Sequence, residues 1–177
     1  MLAGLVALAA SATATPAPLT LAGPAGPAAR TAVLAEAKRQ QMTEVAVAAA
    51  QSFRVLDGGS TAATLLTGEG NMPGTTFAGC FVATVQGDDT MLIPTLGYGN
   101  YEAETCGGPL AVGILLSGAT TRIGVIFKSY SRDAVERVPI VIDWDRSNNT
   151  LLIDEEASSR ALDSGAKTIP ALRRLVS

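Results

Sequence analysis

The sequence predicts an α+β domain, on three observations. Residues 30 to 53 contain neither Gly nor Pro and are rich in Ala, Glu, Lys and Gln, which form helices readily. From Cys80 onward, short apolar runs are separated by Gly, Asp, Asn and Ser, the pattern of an antiparallel sheet. The tail, residues 154 to 176, returns to helix formers with cap signals at the ends of two segments. The expected architecture is a long N-terminal helix packed on a roughly six-stranded antiparallel β-meander, closed by short C-terminal helices. A small β-barrel with flanking helices is the alternative.

In chain order, the opening "MLAGLVALAASATATPAP" reads as an export signal. Leu2 to Ala10 form a short apolar run, and Ala12-Thr13-Ala14 supplies a small-residue cleavage pattern, which assigns residues 1 to 14 to a signal peptide. The run lacks a preceding Lys or Arg, and it is shorter than the roughly 20 residues that span a bilayer. No transmembrane segment is expected in the mature chain. Residues 15 to 29 carry Pro16, Pro18, Pro24 and Pro27 and read as a Pro/Ala-rich linker or disordered leader. A single folded domain is then expected over residues 30 to 177.

Within that domain, Leu34, Met42, Val45, Ala49 and Phe53 share one face of a helix drawn through residues 30 to 53. Residues 57 to 79 are rich in Gly and Thr and fit either a short helix capped by Ser60 or an irregular crossover. Three hairpins follow, with "GDD", "GAT" and "RSN" as their turns. Val138, Ile140, Ile142 and Trp144 alternate with Pro139, Val141 and Asp143, so one face of that strand is marked as core. Pro94 and Pro139 cannot donate to a ladder, which predicts an edge or a bulge at each. In the tail, Asp154 suits an N-cap, Gly165 a helix end, and Thr168-Ile169-Pro170 a second helix start.

Composition narrows the chemistry. The chain has no His, which removes Ser-His-Asp and Cys-His hydrolases as well as His-ligated zinc and haem. Cys80 and Cys106 are the two cysteines, and in an exported chain such a pair reads as a disulfide. A reactive thiol would need a nearby cation. No Lys or Arg lies between Arg54 and Arg122, whereas Asp57, Glu69, Asp88, Asp89, Glu102 and Glu104 do. That acidic stretch, with a net charge of −3 overall, argues against nucleic acid as a partner.

Three patterns suggest sites. Asp143, Asp145, Ser147, Asn149 and Asp154 stand at positions 1, 3, 5, 7 and 12 of a calcium-loop spacing. The loop lacks the central Gly and flanking helices of such a site, and its residues equally suit a hairpin turn, so no metal is assigned. "SGAK", Ser164 to Lys167, matches the S-x-x-K of serine acylases, but the companion motifs are missing. "GYGNYEAETCGG", residues 97 to 108, sets Tyr98, Tyr101, Glu102 and Glu104 among glycines beside Cys106. Aromatic and polar side chains on a tethered loop suit recognition, and these four are the candidate binding residues. No residue is assigned as catalytic, and no cofactor is expected.

The chain therefore reads as an exported domain, periplasmic or secreted, that binds a protein or cell-envelope component without catalysing a reaction. Two alternatives stay open: a small-molecule binder with a cavity between helix and sheet, and a hydrolase using carboxylates or a Ser/Lys pair.

Overall fold

The computed structural model describes residues 18–75, 77–118, 120–131 and 134–176; the expected signal peptide lies outside them. Among the described residues the chain forms β1 (Thr20–Pro24), α1 (Pro27–Arg39), β2 (Thr43–Val47), β3 (Phe53–Asp57) and β4 (Ser60–Asn71). It continues through β5 (Ala78–Gln86), β6 (Asp89–Pro94), β7 (Thr105–Leu116), β8 (Thr120–Tyr130) and β9 (Val135–Asp145). It closes with β10 (Thr150–Ile153), α2 (Glu155–Asp163) and α3 (Ile169–Val176). One sheet has the order β1-β3-β4-β5-β6, with β2 also pairing β4; the other has the order β10-β9-β8-β7, and neither closes on itself. The expected single meander is thus divided between two open sheets, and the barrel alternative does not apply.

The two sheets pack face to face, and helices cover both outer faces. Val55, Leu65 and Val82 from the first sheet meet Ile123, Val125, Phe127, Ile140, Ile142 and Trp144 from the second in a shared core. Because successive strand residues point to opposite sides, Leu66, Phe81 and Ala83 face the other way, onto Ala29, Val33 and Ala37 of α1. On the second sheet Ile126 and Val141 turn outward to Ala157 and Ala161 of α2 and Leu172 of α3. Strands buried on both faces explain why "CFVATV" reads as continuously apolar rather than alternating. The inward set Val138, Ile140, Ile142 and Trp144 is the one the period of two had marked.

The long N-terminal helix is corrected to 13 residues. It starts at Pro27, whose fixed φ suits a first helical turn, and ends with Lys38 and Arg39, favourably placed against the helix dipole. Gln41 then adopts φ +61°, which stops the helix, and residues 43–47 and 53–57 pair with β4 instead. Leu34, expected on the buried face, is exposed. The stretch from 57 to 79, left open between helix and crossover, is mostly β4, so Ser60 caps no helix. Residues 20 to 24, expected in a disordered leader, form β1 along β3, and Leu19 is buried in the inter-sheet core. Burial of Leu19, with Leu21 packed against that core, outweighs the local bias from neighbouring prolines.

Pro94 and Pro139 sit where no ladder donor is needed. β6, which ends at Pro94, terminates its sheet. β10 covers β9 only from Ile142 to Asp145, leaving Pro139 on an uncovered stretch. There Ser158 of α2 accepts from the Val141 N–H at 2.9 Å. The tail follows its cap signals: the Asp154 carboxylate accepts from the Ala157 N–H at 2.9 Å, and Gly165 lies at φ +69°.

The sheets are fastened at both ends of β5. At one end the Cys80–Cys106 disulfide joins β5 to β7, with its Cα atoms 5.3 Å apart. At the other end, the β9–β10 turn reaches the first sheet through Asn149. Its side-chain oxygen accepts from Thr84 Oγ1 at 2.7 Å and Trp144 Nε1 at 3.1 Å. Arg146 pairs with Asp57 at 2.8 Å, adding a further tie between the sheets. The disulfide closes a separation of 26 residues, a constraint of about 3.5 kcal/mol on the unfolded chain in the entropic account. Excess reductant should lower the melting midpoint by about 10 °C. An unchanged midpoint would mean that the bond does not hold the sheets.

Candidate functional site

The loop between β6 and β7 is held at both ends by one residue. Thr95 donates from its N–H and its hydroxyl to the Cys80 carbonyl, at 2.8 and 2.9 Å, and the Cys80 N–H donates to Leu96 at 2.9 Å. The Cys80 sulfur is bonded to Cys106, just past the far end of the loop. Leu96 is fully buried beneath it. Gly97, at φ +77°, turns the chain, and its N–H donates to the Tyr101 carbonyl at 2.9 Å. A loop tied in this way loses little further freedom when something docks on it.

The four candidate residues part company on this loop. Tyr98 is 51% exposed and lines an open cleft of about 350 Å³ together with Tyr101, Asn100, Ile93 and Leu151 to Ile153. The cleft lies between the edge strands β6 and β10, with Glu155 at the start of α2 on its border. Tyr101 also borders an adjoining depression against Val138, Pro139 and Ser158. Glu102 is exposed but does not line the cleft. Glu104 turns inward and accepts a hydrogen bond from the buried Ser129 hydroxyl of β8.

Burial pushes the Tyr101 hydroxyl up to about 12, and its hydrogen bond to the Glu155 carboxylate adds to the shift. A raised value in the folded state stabilises the neutral phenol, so that contribution is whole below the ordinary value of about 10 and is lost as the pH climbs towards 12. In an alkaline titration Tyr101→Phe should remove the last step of tyrosinate absorbance. Persistence of that step would place the shifted phenol elsewhere.

Among the cleft residues missed from sequence are its most exposed aliphatic side chain and its carboxylate. Leu152 is 65% exposed although it lies in a strand, and Glu155 lies 54 positions beyond Tyr101. The signal for Leu152 is present in "TLLID": with Leu151 facing the core, a period of two turns Leu152 outward, where an apolar side chain serves no packing.

The other patterns have structural occupations. Arg122 binds Asp143 at 2.9 Å and Asp154 at 2.8 Å, while Asn149 points at Thr84 and Trp144. Asp145 accepts from the Ser147 N–H and hydroxyl, which hold its carboxyl below the usual carboxylate range. Two of the calcium-loop carboxylates thus share Arg122 while Asp145, Ser147 and Asn149 bond elsewhere, and no three acidic or thiol groups that could hold a metal come together among the described residues. Ser164 donates its hydroxyl to the Ala161 carbonyl at 2.9 Å, at the end of α2. The layer between α1 and its sheet, where a ligand cavity was an alternative, packs Val33, Ala37, Leu66 and Phe81, and at its edge lies an open depression of about 340 Å³ bordered by Ala28, Ala29, Arg54, Thr64 and Val85.

No family model, curated protein or solved structure compared with this chain matches it.

Proposed function

We propose that this chain is an exported, non-enzymatic domain that binds a protein or another cell-envelope component through the cleft between β6, β10 and the Gly97–Thr105 loop. The observation that carries the proposal is an open, largely apolar cleft walled by the exposed Leu152 of β10 and by the exposed Tyr98, which stands on the loop that Cys80 holds at both ends. Tyrosine suits such a surface because it offers a large flat contact with few torsions to freeze. Export is supported by the signal-like residues 1 to 14 and by a disulfide, which persists in oxidising compartments. Among the described residues, no helix is long and apolar enough to cross a membrane. A hydrolytic reading lacks support at this cleft, whose lining holds one carboxylate, Glu155, bonded to Tyr101.

A photo-crosslinking residue placed at Tyr98 tests the proposal in expressing cells. The matched control is Leu116, exposed on β7 at the opposite end of that sheet from β10. A discrete adduct from position 98, absent from position 116 and diminished by Leu152→Ala, is expected. Equal labelling from both positions, or none from position 98, would contradict it.

A further inference from the structure

The strands that end the two sheets are not alike. β1 carries Pro24, β6 Pro94 and β7 Pro109, and a proline has no N–H to donate to an added strand, while β2, paired with β4 alone, carries Glu44 and a bulge. β10, "TLLI", has neither proline nor charge, pairs with β9 alone, and presents Leu152 to solvent. Natural sheets guard such edges with Pro, Lys, a bulge or a very short strand, and of these β10 has shortness alone, at four residues. An edge free of proline and charge beside an apolar cleft is the arrangement that strand-adding peptides use, with backbone bonds giving affinity and side-chain pockets giving choice.

The charges around the cleft point to one sign of partner. Neither the cleft nor the adjoining depression is lined by Lys or Arg. Of the nearby cations, Arg122 pairs with Asp143 and Asp154 and Arg160 with Glu156, while Arg137, exposed on β9 two positions before Pro139, has no ion pair among the described residues. Glu155 is exposed on the cleft border with the Tyr101 hydroxyl as its hydrogen-bond partner, and no ion pair reaches it among the described residues. Glu102 adds a second exposed carboxylate on the loop.

We infer that the partner is an extended protein segment with apolar side chains and a basic residue, which adds to the outer edge of β10 and sets its cation on Glu155. This deepens the protein-binding proposal and rests on it. A second copy of the chain fits less well as occupant, because symmetric pairing through β10 would oppose two sets of the same acidic groups.

The test is selection of random linear peptides displayed on phage against the oxidised full-length protein. Selected peptides should combine aliphatic or aromatic residues with Lys or Arg. A synthetic consensus peptide should bind about tenfold more weakly to Leu152→Glu and to Tyr98→Ala. N-methylation of its alternate amides should abolish binding, and repeating the selection on Glu155→Lys should favour acidic peptides. All three substitutions are of exposed side chains, and unchanged melting midpoints would confirm folding. Peptides that need Tyr98 and Leu152 but lack a basic residue, or that tolerate N-methylation, would overturn the partner chemistry and leave the cleft standing. No selected peptide, or binding indifferent to both substitutions, would overturn the cleft as well. Self-association of the wild type that Leu152→Glu abolishes would make a second copy the occupant and overturn the inference.

Discussion

Asn149→Ala should destabilise the protein by about 3 to 5 kcal/mol, measured by urea denaturation. Asn149 is 2% exposed and sits at φ +50°, a left-handed conformation that costs an ordinary L residue roughly 1 kcal/mol or more. Its side-chain oxygen is the acceptor for two buried donors, Thr84 Oγ1 and Trp144 Nε1. Its Nδ2 donates to the Asp89 carbonyl at 3.3 Å. Alanine leaves both donors without a partner, and each such orphan costs about 1 to 3 kcal/mol. Asn149→Gly separates the two causes, since glycine accepts the backbone conformation and still orphans the donors. It should therefore recover about 1 kcal/mol of the loss and no more. Equal stability of Asn149→Gly and the wild type would assign the whole effect to the backbone and remove the latch between the sheets.

Gly68→Ala should cost about 3 kcal/mol or more. A Cβ built at Gly68 would lie 2.3 Å from the Ala46 carbonyl oxygen and 2.4 Å from the Phe81 ring. β2 pairs here with β4, Val47 opposite Gly68, while Phe81 fills the layer beneath α1. The contact with a backbone oxygen cannot be relieved by turning a side chain, so β2 or β4 must move. Gly26→Ala is the matched control, with nothing within 4 Å of the added carbon, and should change stability by less than about 1 kcal/mol. Similar losses at both positions would mean that Gly68 is not held by its neighbours.

These two residues also show what a sequence can and cannot reveal. The three hairpins were legible because their turns carry Gly, Asp, Asn and Ser between strands of clear period. The tail was legible because Asp154, Gly165 and Thr168 are local signals, acting within a few residues of where they stand. Residues 40 to 57 were not. "MTEVAVAAAQSF" holds good helix formers and no breaker, and its strands exist because β4 supplies long-range partners. The division into two sheets was hidden for a similar reason: the hairpin pattern of β5 to β10 does not say which adjacent pairs part company.

The cleft was half legible. Tyr98 and Tyr101 announced themselves as aromatics in a glycine-rich loop beside a cysteine. Glu104, read in the same way, accepts from the buried Ser129 hydroxyl, which satisfies a half-buried carboxylate and a buried donor together. Leu152 and Glu155 lie about 50 residues further on, and the packing of β10 near β6 brings them to the tyrosines. Asn149 stood in the sequence as a fourth oxygen ligand for calcium. In the structure its oxygen is turned to Thr84 and Trp144.

The proposed binding role requires that the chain leave the cytoplasm and that Cys80 and Cys106 be oxidised, because that bond holds the tyrosine loop. The direct measurement is the intact mass of the protein recovered from expressing cells, before and after reduction and alkylation. A start close to Thr15, with two alkyl groups added only after reduction, is the expected result. A retained Met1 with both thiols alkylated without reductant would contradict export and the disulfide together.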